Sequence, residues 1–301
     1  MSRVFQNIAL VIVLLFTQSC DDDKTDYKPK YSESTTSHKR TLIFGIHPLH
    51  NPALLFQRYG PIIDYLNHNI IDAQFTLQAS RNYDEFEIKL ADRAFEFALP
   101  NPYQTVVARK YGYHVFGKMG DDQDFRGIIL VRRDSNVSSI ADLKGKKISY
   151  PAKTALAATM MPQYFLYTHG LNVNSDVENL YVGSQESSIM NVYLGNVIAA
   201  ATWPIPWNAF VKEHPDKAAE LEVKWQTESL INNSLVARDD MPPELVEKVA
   251  TLLANLKNTE SGRAMLEHLP ISGFERANDA NYDIIQNFLV NYSNTITPVW
   301  P

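Results

Sequence analysis

A single cysteine, Cys20, stands in 301 residues, and no run of apolar residues is long enough to span a membrane as a mature helix. No intrachain disulfide is possible, and the chemistry of cysteine clusters is excluded. Basic residues do not outnumber acidic ones. The net charge is −6 and the pI about 5.8, so the chain has no global positive field to hold nucleic acid or an anionic lipid face. The 12 glycines form neither the dinucleotide-binding loop nor the P-loop, which leaves no cofactor motif. Gly183-Ser184-Gln185-Glu186-Ser187 does not match a nucleophile elbow, and no His/Asp order around it specifies a triad. His47 and His50 lie three apart, yet a proline and a loop separate them from any further clustered ligand, so no metal site is expected. His47 reads as a cleft-rim loop histidine and His50 as a surface one.

What is present is the composition of a soluble globular protein, 45% hydrophobic and 21% charged, behind an export signal. Arg3 precedes the apolar run from Ile8 to Phe16, too short to span but suited to a signal peptide. Leu15-Phe16-Thr17-Gln18-Ser19-Cys20 then resembles a bacterial lipobox, with Thr17 where leucine is usual. That resemblance implies removal of residues 1–19 and acylation of Cys20, leaving no free thiol. Asp21 after the cysteine points to retention at the inner membrane if enterobacterial sorting rules apply. Residues 20–40 are polar and nearly free of aliphatics, so they cannot repay their ordering entropy and read as a tether.

From Thr41 onward, short apolar strands alternate with segments of helical spacing. Thr41 to Ile46, Gln74 to Gln78 and Phe95 to Leu99 are expected as strands. Leu54 to Asn67, Tyr83 to Leu90 and Tyr103 to Tyr111 are expected as the helices between them. Tyr113 to Lys118 and Gly127 to Arg132 read as further strands. A second series follows: a short helix at Ile140, a strand to Tyr150, a helix from Thr154 to His169 stopped by Gly170, a strand at Tyr181 to Gly183, a helix from Ser187 to Leu194, and a strand at Val197 to Ala201. A strand near Asn233 to Arg238 and helices at Pro242 to Leu256 and Gly262 to His268 complete the pattern. Such alternation implies open α/β sheets.

Phe44-Gly45-Ile46-His47-Pro48, Tyr83, the Pro102-Tyr103 helix start with Ala108, Asp142-Leu143-Lys144-Gly145-Lys146-Lys147, Pro162, and Gly183-Ser184-Gln185-Glu186-Ser187-Ser188-Ile189 with Gly195 occur in an order and spacing that resembles a known family. It is the phosphate-, phosphonate- and phosphite-binding proteins of ABC importers, a branch of the type II periplasmic binding fold. The resemblance covers about residues 41 to 290. It implies two lobes, each an open α/β sheet, joined by two crossing hinge strands. Residues 41–126 and 236–301 would form one lobe and 127–235 the other. It further implies a monomer in the periplasm that is not an enzyme and that closes on a small-molecule ligand. The partner would be the membrane permease of an ABC importer. A membrane sensor protein such as a sensor kinase is the alternative, because hinge closure serves either role.

The resemblance places the ligand between the lobes, where helix N-termini and hydroxyls would hold an oxyanion. The Ser-Thr-Ser run of phosphonate binders falls here on Ala155-Leu156-Ala157, leaving Thr154 and Thr159 as the nearby hydroxyls. Gln185-Glu186 replaces a frequent His-Asp. The site thus keeps its frame and changes its chemistry. Trp203-Pro204-Ile205-Pro206-Trp207 presents two indoles on a restricted backbone. With Tyr83, Tyr103 and Glu186 these would form an aromatic cage for a cation or a flat apolar ligand; the alternative is that both tryptophans pack a hinge or core. Asn101, between two prolines at a strand end, is expected to face the cleft, and His47 its rim. Gln185, Glu186 and Ser187 read either as ligand contacts or as the cap of the following helix, and Thr154 as a ligand hydroxyl or an N-cap.

Overall fold

A computed structural model describes residues 39–269 and 271–298. The chain alternates first through β1 (Arg40–Ile46), α1 (Pro52–Asn69), β2 (Ala73–Ala79), α2 (Tyr83–Ala91), β3 (Phe97–Leu99), α3 (Pro102–Lys110) and β4 (Tyr113–Met119). Parallel pairing of β1 with both β2 and β3 follows from the helices that return the chain to the same sheet edge. The buried face of β1 carries Leu42, Phe44 and Ile46. Gly45 lies under Phe95, whose ring would stand 2.6 Å from a β-carbon at that position.

The second series runs β5 (Ile128–Arg132), β6 (Lys147–Tyr150), a π-helical turn at Leu156–Met160 continuing into α4 (Met161–Thr168), β7 (Glu178–Tyr181), α5 (Gln185–Tyr193), β8 (Ala199–Thr202), α6 (Pro204–Glu213), α7 (Pro215–Ala219) and β9 (Leu221–Gln226). The chain then returns through β10 (Ser234–Arg238), α8 (Pro243–Asn255), α9 (Glu260–His268), β11 (Phe274–Arg276) and α10 (Asp283–Thr295). Two sheets result, ordered β11-β4-β10-β3-β1-β2 and β7-β6-β8-β5-β9. This is the two-lobe α/β architecture that the alternation and the resemblance imply.

Residues 120–127 carry the chain from the first sheet to the second, and 227–233 bring it back. The two crossings are tied side by side: Thr227 N–H donates to Gly127 O at 2.9 Å, Leu230 N–H to Phe125 O at 3.0 Å, and Asn232 Nδ2 to Gly120 O at 2.7 Å. Gly127 passes so close beneath the π-helical turn that a β-carbon there would stand 2.6 Å from both Ala157 O and Pro162 Cγ. α10 reaches across to the second half, where Tyr292 Oη donates to Gln163 Oε1 at 2.5 Å and Phe288 meets Tyr164 edge-on.

Several elements differ from the sequence expectation. Pro204 and Pro206 lie in the first turn of α6, where a missing N–H costs nothing, so the restricted backbone of the Trp-Pro-Ile-Pro-Trp segment is that of a helix start. β7 lies at Glu178–Tyr181, ahead of the expected Tyr181 to Gly183. The expected helix from Thr154 begins at Leu156 with a π-turn. Among the described residues no helix is long and apolar enough to cross a membrane. Cys20 and most of the polar segment around it lie outside the described residues.

Candidate ligand-binding cleft

A space of about 200 Å³, its mouth included, lies between the two halves and is lined by His47, Tyr83, Asn101, Phe125, Gln185, Trp203, Asn233 and the stretch Ala155–Ala158. Each half contributes the ends of its parallel strands and the helices that follow them. His47 succeeds β1, Tyr83 opens α2, and Asn101 caps α3. From the second half come the start of the π-turn and α4, Gln185 at the first turn of α5, and Trp203 before α6. The crossings supply Phe125 and Asn233.

The N–H groups that open the helix at Leu156 have no intrahelical acceptors, and with the helix dipole they make this wall of the space attractive to an anion. Its side chains are alanine and leucine, as the sequence requires, so hydroxyl donors are absent there. Thr159, the second hydroxyl expected nearby, is fully buried and donates to Ala152 O at 2.7 Å.

The polar points on the other walls have defined hydrogen-bonding roles. His47 Nδ1 lies 2.9 Å from Leu99 O; a carbonyl only accepts, so Nδ1 carries the hydrogen and Nε2 a lone pair. Burial brings the imidazole down to about 4, opposed by that backbone hydrogen bond, so His47 is neutral at ordinary pH. Gln185 Nε2 donates to Tyr83 Oη at 3.3 Å, while its Oε1 accepts from Thr202 at 2.8 Å. Tyr83 thus accepts from Gln185 and keeps its own hydrogen to donate; burial holds its phenol well above the ordinary value. Asn101 is committed at both ends, Oδ1 accepting from Gln104 N–H at 3.0 Å and Nδ2 donating to Thr154 O at 3.0 Å. No lining residue carries a formal charge.

The expected residues divide accordingly. His47, Tyr83, Asn101, Gln185 and Trp203 meet at the space, Trp203 buried with Phe125 against it edge-on at 5.5 Å. Trp207 is elsewhere, stacked on Phe210 at 6.0 Å beside the second half's own core. One helical turn separates it from Trp203, whose carbonyl accepts its N–H, so the two indoles do not form opposing walls. Glu186 is exposed and borders a neighbouring groove with His50, Pro206 and Glu213. Ser184, not Gln185 or Glu186, caps α5, accepting from Ser187 N–H at 3.1 Å, and its hydroxyl donates to that of Ser187. Tyr103 is buried in the first turn of α3, its phenol brought up to about 12 by burial and by the charge of Glu87. The cage of two tryptophans with Tyr103 and Glu186 is therefore not assembled. Thr154 caps no helix. It bridges the halves, its hydroxyl donating to Glu87 Oε1 at 2.5 Å.

Sequence reasoning missed Phe125, Asn233 and Glu87. Phe125 and Asn233 lie in the crossings, where no periodicity marks them, and Glu87 sits on a helix face that reads as solvated. His50 is half-buried: Arg58 donates to its Nε2 at 2.7 Å and pairs with Glu213 of the other half at 3.6 Å. Among the described residues no cluster of His, Cys, Asp and Glu is placed to hold a metal.

Known proteins share this organisation. The family model of phosphonate ABC transporter periplasmic substrate-binding proteins matches residues 44–282. A probable ABC transporter phosphite-binding protein from Prochlorococcus marinus is 22% identical over 55% of this chain, an alignment that spans 60% of the relative's own length. A phosphate-import protein from Mycolicibacterium smegmatis is 21% identical over 84% of this chain and 82% of its own. Among solved structures, the Prochlorococcus marinus protein in complex with methylphosphonate superposes with a TM-score of 0.76 at 20% identity, covering 86% of this chain and all of that one. A match across most of the chain, together with two α/β lobes closing on a space at a helix start, shows that this chain belongs to the periplasmic substrate-binding proteins of phosphonate-type ABC transporters, a solute-binding family and not an enzyme family.

Proposed function

We propose that the protein captures a small oxyanion of the phosphonate, phosphite or phosphate class between its two halves and delivers it to the permease of an ABC importer, acting from a lipid anchor at Cys20. The observation that carries this reading is the uncharged space onto which the helix start at Ala155–Ala158 opens. An anion there is held by unpaired N–H groups and a helix dipole, with the Tyr83 hydroxyl as a further donor. Phe125, Trp203 and Leu156 supply apolar surface for a short substituent.

The cation or aromatic reading loses its support, since Trp207 and Glu186 stand outside the space and no carboxylate lines it. Family membership favours delivery to a permease over the signalling alternative. Calorimetric titration of the purified protein with phosphite, methylphosphonate, phosphate, choline and a polyamine tests the reading. Saturable binding confined to the phosphorus acids is expected, and binding of the cations alone would refute it. Cys20→Ala is expected to release the protein from membranes into the soluble periplasmic fraction; continued sedimentation with membranes would refute the anchor.

A further inference from the structure

Asn233 lies on the crossing that returns the chain to the first sheet, fully buried in the wall of the cleft space. Its Nδ2 approaches the Met119 sulfur at 3.4 Å, and its Oδ1 meets no donor in the protein. The reversed amide would set the carbonyl oxygen against sulfur lone pairs, so Oδ1 is the end left over. A buried amide oxygen without a donor is costly, and such atoms in native proteins mark a missing partner. The neutral His47, with Nδ1–H given to Leu99 O, adds a second acceptor at Nε2. The Gln185 and Asn101 amides direct their donated hydrogen bonds to Tyr83 Oη and Thr154 O, and neither reaches Asn233 Oδ1.

The residues lining the space therefore include donors, at the helix start and at Tyr83, and two with an acceptor uncommitted to the protein, Asn233 and His47. No lysine or arginine lines it. Asp122 and Glu87 do not line it: Asp122 accepts from Asn232 N–H and pairs with Lys118, and Glu87 is engaged by Thr154.

We propose that the cleft selects oxyanions that still carry a hydrogen-bond donor, such as the P–OH of a phosphonate or phosphite monoanion, and rejects acids of equal charge and similar shape whose oxygens only accept. This rests on the oxyanion reading above and adds a rule of selection to it. A fully deprotonated oxyanion would place oxygen lone pairs against Asn233 Oδ1, whereas a P–OH group satisfies it.

Methylphosphonate and methanesulfonate provide the test. At mildly acid pH both are monoanions of nearly the same size, and only the first has an O–H. Calorimetric titration of the purified wild-type protein is expected to find methylphosphonate at least about tenfold tighter. In Asn233→Leu, checked for folding by thermal unfolding, the ratio is expected to move toward unity. Equal affinities in the wild type overturn the selection rule and leave the oxyanion reading standing. A folded Asn233→Leu protein with an unchanged ratio overturns the assignment to Asn233; if that variant does not fold, the wild-type ratio decides. Binding of neither acid, nor of phosphite or phosphate, overturns the oxyanion reading and the rule together.

Discussion

Thr154 Oγ1 donates to Glu87 Oε1 at 2.5 Å, joining the segment that leads into the anion-facing helix start to α2 on the opposite side of the cleft. Gln104 Nε2 donates to the same oxygen at 3.1 Å, and Asn101 Nδ2 reaches the Thr154 carbonyl at 3.0 Å. The two Thr154 contacts, the Tyr83–Gln185 hydrogen bond and the Arg58–Glu213 ion pair join one half to the other, whereas Gln104 and Glu87 belong to the same half. If the halves part to admit ligand, breaking these contacts would weigh on ligand affinity.

Thr154→Val keeps the β-branched shape and removes the hydroxyl. Because a hydrogen bond to a carboxylate in a partly buried site contributes roughly 1.5 to 3 kcal/mol, ligand affinity is expected to fall by at least about tenfold, and the unliganded protein, in which the same bond is present, is expected to melt lower. Titration and melting curves of the same preparation check this. An unchanged affinity would mean that the latch does not govern closure.

Glu87 adds a pH dependence whose sign is fixed. Burial holds its carboxyl above the ordinary range, against the lowering effect of the Thr154 and Gln104 hydrogen bonds and with a further upward push from the charge of Asp84. The native state keeps this proton at pH values where the unfolded chain has lost it. Its contribution to stability is therefore present in full below the unfolded value and is lost as pH rises through the raised native one. Glu87→Gln retains an acceptor for Thr154 and Gln104 without the buried charge. It is expected to raise Tm at neutral pH and to lose that advantage in acid; a gain larger in acid than at neutral pH would contradict the account.

Trp203 and Trp207 separate binding from stability. Trp203→Ala removes a buried wall of the space and is expected to cost about 3 to 5 kcal/mol of stability, together with the ligand-induced rise in Tm. Trp207→Ala removes a partly exposed ring stacked on Phe210. It is expected to lower Tm while leaving the ligand-induced shift intact. Melting with and without phosphite distinguishes the two outcomes.

Gly127→Ala tests how tightly the crossing is pressed beneath the helix start. The new methyl would meet Ala157 O and Pro162 Cγ at 2.6 Å, and neither the backbone nor a proline ring yields cheaply. A loss of about 1 to 3 kcal/mol is expected from denaturant midpoints, with weakened ligand binding because Ala157 lies in the anion-facing turn. Unchanged stability and binding would show that the helix start moves freely over the crossing.

The strand and helix alternation was legible because α1, β2 and α2 bury one face each, so their apolar periodicity carries the signal. α6 was not read because Pro204 and Pro206 look like chain breakers, and only their place in the first helical turn makes them harmless. The cleft was partly legible. His47, Tyr83, Asn101, Gln185 and Trp203 stand at strand ends and helix starts, which topology brings together. Asn233 and Phe125 lie in the crossings, whose meeting is a property of the whole fold. Trp207 was left between cleft and core because an aromatic looks alike in sequence in either place; the helix stacks it on Phe210. Glu87 went unnoticed because what makes it unusual is burial by the other half of the molecule.

The most direct test of the central account is calorimetric titration of the purified protein with methylphosphonate, alongside Ala157→Asp, whose carboxylate would occupy the anion-facing helix start. The account predicts saturable binding at one site in the wild type and none in the folded variant. Absence of binding in the wild type, or undiminished binding in Ala157→Asp, would contradict it.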